Sequence, residues 1–210
     1  MTYRTNTDDY NLFIEALEFV LDKEGGLNDD PDDRGNKGGV TWKGVTPGAL
    51  AAARRAGITD KSRTTDLTDK DIEDIYYQLF WRGAHCHEIP DPLCFPMFDI
   101  SVNHGAGGAV HILQETLNDF FRDEHEVAVD GAWGPQTHKA LMLFERLSKI
   151  VGDTEAGKYL EPLVAIASCV ALYERAETYA EIVESRPVNR KYFYGWIRHR
   201  VKDLGQRLGF

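Results

Sequence analysis

Apolar residues recur at helical spacing along most of this 210-residue sequence, and the one long stretch that breaks the pattern, residues 27–45, is dense in Gly, Asp and Asn. A chain patterned this way is confined to a mainly α fold with one small irregular or β-containing piece near its front. The first helical pattern, 8–24, carries Leu12, Phe13, Ala16, Leu17, Val20 and Leu21, and places Asp8 and Asp9 where the helix dipole favours negative charge. Gly25-Gly26 then supplies the permissive backbone for a C-terminal cap. A long irregular stretch in a compact domain is usually functional, and a small β-hairpin around Gly38-Gly39 is expected there.

The remaining helices are marked by their ends. Thr46-Pro47 reads as an N-cap followed by proline at the first helical position, with Gly57 closing that helix. Thr68-Asp69-Lys70-Asp71 resembles a capping box opening a helix with Ile72, Ile75, Tyr76, Leu79 and Phe80 on one side. Asp91-Pro92 begins another, reaching Asn103-His104-Gly105, and a further helix runs from Val110 to Phe121. After a loop carrying Asp130-Gly131-Ala132-Trp133-Gly134-Pro135, residues 136–150 are helical. The pattern over 161–184, with Leu163, Ile166, Ala167, Val170, Tyr173 and Ala180, predicts the central buried helix; Arg186-Pro187 breaks it, and a last helix bears Tyr192, Phe193, Trp196 and Val201. There are no internal repeats.

Charge and cysteine content exclude some functions. A net charge of -10 argues against nucleic-acid binding, which needs a concentrated basic surface. Residues 186–210 nevertheless hold seven basic residues against Asp203 alone, so this tail is +6 and the rest of the chain -16. Such a tail suits an anionic polymer or membrane surface, or is simply solvated or paired with the acidic body. Cys86, Cys94 and Cys169 are no disulfide framework, and the polar start Met1-Thr2-Tyr3-Arg4-Thr5-Asn6 lacks the apolar core of a signal peptide. The expectation is a chain made in the cytoplasm without an export address. His85, Cys86, His87 and Cys94 cluster in sequence without a recognised metal spacing, and core thiols beside surface histidines is the reading adopted.

One carboxyl group stands out by position. Glu24 falls within about 20° of both Phe13 and Leu17 on the helical wheel, so it points along the apolar face where the helix stops. Partial desolvation there favours the neutral, proton-donating acid. Glycoside hydrolysis needs such an acid and a second polar group that orients water, for which Asp33 and Thr41 are available downstream. On spacing alone, Glu24 is equally a helix-terminal glutamate beside solvent. Asp30, Asp32 and Asp33 are equally turn formers or an adventitious calcium site, although the EF-hand pattern is absent.

Glu24-Gly25-Gly26, Asp30-Pro31-Asp32-Asp33, Gly38-Gly39-Val40-Thr41 and Gly44-Val45-Thr46 together resemble the signature of glycoside hydrolase family 108, the N-acetylmuramidases of phage endolysins and secretion activators. The order Glu, Asp, Thr is also similar to that of phage-type lysozymes. The resemblance implies Glu24 as catalytic acid and Asp33 and Thr41 as holders of the attacking water, while Gly35-Asn36-Lys37 lengthens the loop between these two relative to the family pattern. Asp99-Ile100-Ser101-Val102-Asn103-His104-Gly105, Leu113-Gln114, Asp130-Gly131, Gly134-Pro135 and Thr137 resemble the helical peptidoglycan-binding region that accompanies this family, and Gly195-Trp196 with Arg198 its closing motif. Asn103 and His104 are then candidate contacts to sugar hydroxyls or acetamido groups, with helix capping by Asn103 and a surface His104 as the ordinary alternative. Trp42 is a candidate to stack on a sugar, and Trp81, Trp133 and Trp196 are read as core. Asp130-Gly131 and Gly134-Pro135 are read as turn and helix-start chemistry.

The expectation is a mainly α, lysozyme-like α+β fold, with a catalytic region over 8–96 and a helical peptidoglycan-binding region over 97–210, packed as one body. The function expected is hydrolysis of the β-1,4 bond between N-acetylmuramic acid and N-acetylglucosamine. A lytic transglycosylase and a non-catalytic wall-binding protein remain the alternatives. No metal or organic cofactor is implied; peptidoglycan is the expected partner, nucleic acid is not, and the chain is expected to be a monomer that reaches the wall after release.

Overall fold

Phe13, Ala16, Leu17 and Val20, the stripe read from the first helical pattern, are all buried in the computed structural model, which describes residues 6–23, 26–30, 37, 39–121, 126–152 and 163–209. The chain divides into two units, Met1–His87 and Glu88–Phe210.

In the first unit, α1 spans Asn6–Lys23. Its buried stripe meets aromatic rings, with Phe13 edge-on to Tyr77 and Trp81. The first-turn acids do more than complement the helix dipole: Asp9 is buried and accepts hydrogen bonds from Trp81 Nε1 at 3.0 Å and Tyr77 Oη at 3.2 Å. Two short strands follow, β1 at Leu27–Asn28 and β2 at Thr41–Trp42, antiparallel in the register Leu27 to Trp42 and Asn28 to Thr41. α2 spans Pro47–Arg55, and Thr46 caps it by accepting from the Ala49 amide at 3.1 Å. Thr68 and Asp71 exchange side-chain and backbone hydrogen bonds in a complete capping box at the start of α3, Asp69–Ile75.

α3 does not keep its period. It passes into a π-helical stretch, Tyr76–Trp81, whose wider turn rotates the apolar stripe. Ile72, Ile75 and Tyr76 are buried as the pattern predicts, but Leu79 and Phe80 are only half-buried, and Trp81 takes the fully buried place instead.

The second unit is helical among its described residues. α4, Cys94–Phe121, is broken at Gly105, whose φ of 79° and ψ of 164° no helix accommodates. The break separates the two helices expected there, the first of which begins at Cys94, after a turn at 91–93, and not at Asp91-Pro92. α5 spans Pro135–Gly152, α6 Leu163–Ser185, and α7 Arg190–Trp196, which continues through a π stretch, Ile197–Lys202, into α8, Asp203–Arg207. Residues 88–96 belong with this unit: Ile89, Leu93 and Cys94 are buried, Glu88 pairs with His138, and Arg207 lies over the Phe95 ring.

α6 is amphipathic rather than buried all round. Val164, Ala165, Ala167, Ser168, Ala171, Leu172, Arg175 and Tyr179 are buried, while Tyr173, expected inside, is 60% exposed and donates to Glu177. The surprise in the buried stripe is a charge. Arg175 Nη1 donates to Asp99 Oδ2 and to the Arg200 carbonyl, and Arg200 Nη1 donates to Asp99 Oδ1 at 2.6 Å. Asp99 thus ties α4 to α6 and to the basic tail, of which Arg200 is a buried member and not a solvated one. Burial raises the Asp99 pKa, but the two guanidiniums and their hydrogen bonds win and hold it below the ordinary carboxylate value.

Asp130-Gly131 has a structural task. Gln114, buried on α4, accepts from the amides of Asp130 and Gly131 and donates to Asp130, the Ala132 carbonyl and Thr137. Gly131 has φ of 70°, and a Cβ there would lie 2.7 Å from the Gly107 carbonyl oxygen, so no side chain fits. Trp133 and Trp196 are half-buried, unlike Trp81: Trp133 meets the His138 ring, and Trp196 stacks between Tyr179 and Tyr192.

Two stability predictions arise from the second unit. Asp99→Ala leaves two buried guanidiniums without their carboxylate and is expected to cost about 3–5 kcal/mol in urea denaturation. His104, packed against Tyr179, has its pKa pushed down to about 4 by burial and by Arg175. It therefore folds neutral and contributes fully above the unfolded value of 6.5; that contribution is lost as pH falls towards 4. Glu174, raised from 4.5 to about 7, acts in the opposite sense over the same window, so the His104 contribution is read as a difference: the melting temperature of His104→Gln should gain on that of the unmutated chain as pH falls from 6.5 to 4, and both should drop below 3.8, where Asp99 takes up its proton in the unfolded chain.

Candidate active site

The first unit presents a hairpin at Trp42. Its backbone pairs with Leu27 on one side and with Val45 on the other, where the Trp42 and Val45 amides and carbonyls exchange hydrogen bonds of 3.1 and 2.9 Å. The two residues between them, Lys43 and Gly44, both have positive φ, 45° and 76°, as a primed two-residue turn requires. This is the physical reason for glycine in Gly44-Val45-Thr46.

Three further bonds pin the hairpin from outside. The Lys43 amide donates to the Gly26 carbonyl at 3.1 Å, Tyr76 Oη donates to the Lys43 carbonyl at 3.0 Å, and Thr64 Oγ1 donates to the Val40 carbonyl at 2.7 Å. Lys43 Nζ reaches Asp69 at 2.7 Å and lies over the Trp42 ring. Val45 is fully buried beneath the turn. A cavity of about 430 Å³ opens beside it, lined by Gly39, Val40, Pro47, Leu50, Arg54 and Thr64 among others.

Thr41 is on β2, 8% exposed and paired with Asn28; Trp42 is half-buried beside Gly26. Glu24 and Asp33 lie outside the described residues. The described part of α1 ends at Lys23, directly before Glu24 in sequence, and the backbone two residues after Glu24 is bonded to the residue that follows Trp42. β1 and β2 thus bring the chain just past Glu24 alongside the strand that carries Thr41 and Trp42.

In the second unit, Asn103 is exposed and its Nδ2 donates back to the Asp99 carbonyl at 2.8 Å, within its own helix. His104 is not a surface residue: its Nε2 is buried and without a hydrogen-bond partner, and its ring is 5.1 Å from that of Tyr179. Sequence reasoning missed the groove beside it, of about 310 Å³, lined by His104, His111, Glu115, Glu174, Glu177 and Glu181 among others. Burial and then the nearby acids Glu115, Asp119 and Glu177 push Glu174 up to about 7. The only sequence signal was the helical spacing of Glu174, Glu177 and Glu181, which solvent-facing helices also carry. The groove presents carboxylates to amines and hydroxyls.

Comparisons with known proteins place a boundary further along the chain than the two units do. Residues 17–105 match the glycosyl hydrolase 108 family, and residues 108–201 match the predicted peptidoglycan domain. The solved structure of Brucella abortus SagA is similar in fold, with a TM-score of 0.64 at 22% identity, covering 95% of this chain and 94% of that one. No curated protein matches the chain. The hairpin of the first unit and Asp99 lie inside the first match, and Gln114, Arg175 and Arg200 inside the second, so the chain matches the glycosyl hydrolase 108 family in its first part and the predicted peptidoglycan domain in its second.

Proposed function

We propose that this glycosidase cuts the β-1,4 bond between N-acetylmuramic acid and N-acetylglucosamine in peptidoglycan, with Glu24 protonating the leaving oxygen. The observation that carries the reading is the pinned hairpin, in which the Gly26 carbonyl and the Lys43 amide tie the chain after Glu24 to the strand bearing Thr41. A general acid and a water-holding hydroxyl must be kept on rigid elements, and this hairpin is fixed by two pairings, a primed turn and three outside hydrogen bonds. The buried positions of Phe13 and Leu17 on α1 support the other half of the argument. Continued by one residue past Lys23, helix geometry would set Glu24 about 20° from them, along the apolar face, where partial desolvation favours a protonated carboxyl.

In this reading, water held by Asp33 and Thr41 attacks the anomeric carbon as Glu24 delivers its proton to the departing sugar oxygen. Space for that water between acid and partner corresponds to inversion of configuration. Trp42 offers a ring face to a sugar, and the cavity beside the hairpin, with Arg54 in its wall, suits a glycan that bears carboxylates on its lactyl and peptide substituents. Asn103, His104 and the acidic groove of the second unit serve recognition of the same polymer, where stem peptides and amino sugars offer amines and hydroxyls.

Glu24→Gln is expected to slow the clearing of purified sacculi by about 10²-fold or more while sedimentation with sacculi is retained. Equal clearing by both proteins would remove Glu24 from the mechanism, and mass spectrometry of the released fragments should find reducing muramic acid ends, not 1,6-anhydro ends. Trp42→Ala should raise the sacculus concentration for half-maximal clearing roughly two- to tenfold with little change in the maximal rate, and Trp42→Phe should recover part of the loss.

A further inference from the structure

Pro47, Leu50, Ala51 and Arg54 stack on one side of α2, and together they line the cavity of about 430 Å³ in the first unit. A size of that order is typical of ligand clefts, which run from about 300 to 1,000 Å³. Val40 and residues 62–65 contribute the rest of the lining, and Thr64, itself buried, joins these two parts by donating to the Val40 carbonyl at 2.7 Å. The two arginines in the lining are not equivalent. Arg63 donates through Nε and Nη2 to both carboxylate oxygens of Asp66, at 3.0 and 2.9 Å, so its charge is already met. Arg54 is exposed and makes no ion pair among the described residues. Arg55 shares the last turn of α2, where the helix dipole favours a cation, but of the two only Arg54 borders the cavity. An unmatched guanidinium beside an apolar wall selects an occupant that carries both small apolar groups and a carboxylate.

We propose that this cavity binds the peptide substituent of a muramic acid residue, with lactyl and alanyl methyls against Val40, Pro47 and Ala51 and a peptide carboxylate paired with Arg54. The inference rests on the reading of this chain as a peptidoglycan glycosidase, and it makes Arg54 a specificity-determining residue remote from the proton transfer. Val40 directly precedes Thr41, so the cavity adjoins the strand assigned to hold the water. The lactyl ether leaves the sugar ring close to the anomeric carbon, and one muramic acid residue therefore reaches both places. A strand stripped of its peptides keeps the lactyl carboxylate but on a shorter arm and without the alanyl methyl, and chitin offers neither group. The cavity thus favours peptide-bearing glycan over both.

Two measurements test this. In the first, the ¹⁵N-labelled full chain is titrated with soluble N-acetylmuramyl-alanyl-glutamate: the Arg54 Nε–H signal and the Val40 and Ala51 amides should shift saturably, while chitotriose leaves the Arg54 signal unmoved. In the second, cleavage is followed on glycan strands with peptides intact and on the same strands stripped by an amidase. Arg54→Gln should raise KM on intact strands roughly three- to tenfold at nearly constant kcat, with Arg54→Lys recovering part of the loss and Arg55→Gln behaving as the unmutated chain. On stripped strands Arg54→Gln should match the unmutated chain. Circular dichroism confirms that each variant is folded. An Arg54 signal unmoved across the first titration, or an Arg54→Gln effect that is absent or equal on the two kinds of strand, overturns the assignment even where sacculi are cleared. A chain that clears no sacculi but shows the Arg54 shift keeps the peptide site and loses the glycosidase reading.

Discussion

A carboxylate with two guanidiniums on it organises the second unit. Asp99 is 1% exposed and Arg175 fully buried, so the charges have left water entirely, and their mutual attraction must offset a desolvation cost of several kcal/mol per ion. Such a cluster adds little net stability over an apolar core of the same shape. What it does is specify: only one arrangement of α4, α6 and the π-helical stretch of the tail brings one carboxylate to both arginines and an arginine to the Arg200 carbonyl. Any slip of one helix by a turn would strand a charge in the core. Tyr179, which accepts from Arg175, and His104, packed on Tyr179, extend the network to the edge of the acidic groove. The segment around Asp99 is thus first a packing device, and its surface neighbours inherit their positions from it.

The first unit reaches rigidity differently. Its hairpin is too short to be stable alone, since two-residue strands bury little and isolated hairpins are marginal even when longer. Polar side chains from other elements hold it: Tyr76 from the π stretch and Thr64 from a 3₁₀ turn at Thr64–Asp66 each donate to one of its carbonyls. Asp9 on α1 fixes that same π stretch through Trp81 and Tyr77. α1, the π stretch and the hairpin therefore form a chain of hydrogen bonds, and it begins on the helix that leads to Glu24. The core aromatics thus hold the hairpin and α1 together with their polar ends.

Much of this was legible beforehand because it rests on local chemistry. The Thr46 cap, the Thr68 capping box, the break at Gly105 and the start of α5 at Pro135 all follow from the conformational limits of a few adjacent residues, whereas the hairpin expected around Gly38-Gly39 turns instead at Lys43-Gly44, Gly38 lying outside the described residues. Errors fell where the helical period itself changed or where a charge went inside. The π stretch moved burial from Leu79 and Phe80 to Trp81, and no period of 3.6 could foresee that. Tyr173 took the exposed face of α6, while Arg175, which composition would place in solvent, took the buried one.

The sequence by itself determined the order of elements, their caps and breaks, and the two family signatures that the chain matches, because these depend on residues close together along the chain. Glu24, Asp33 and Thr41 were nominated from that order and their chemistry. Tertiary structure alone decided which polar groups are buried and whom they meet: Asp99 with arginines 76 and 101 residues away, and Tyr76 with a carbonyl 33 residues away. The reason is energetic. A buried charge or hydroxyl is tolerated only when a partner completes its hydrogen bonds, and the partner's place is set by packing across the fold, which no local pattern encodes.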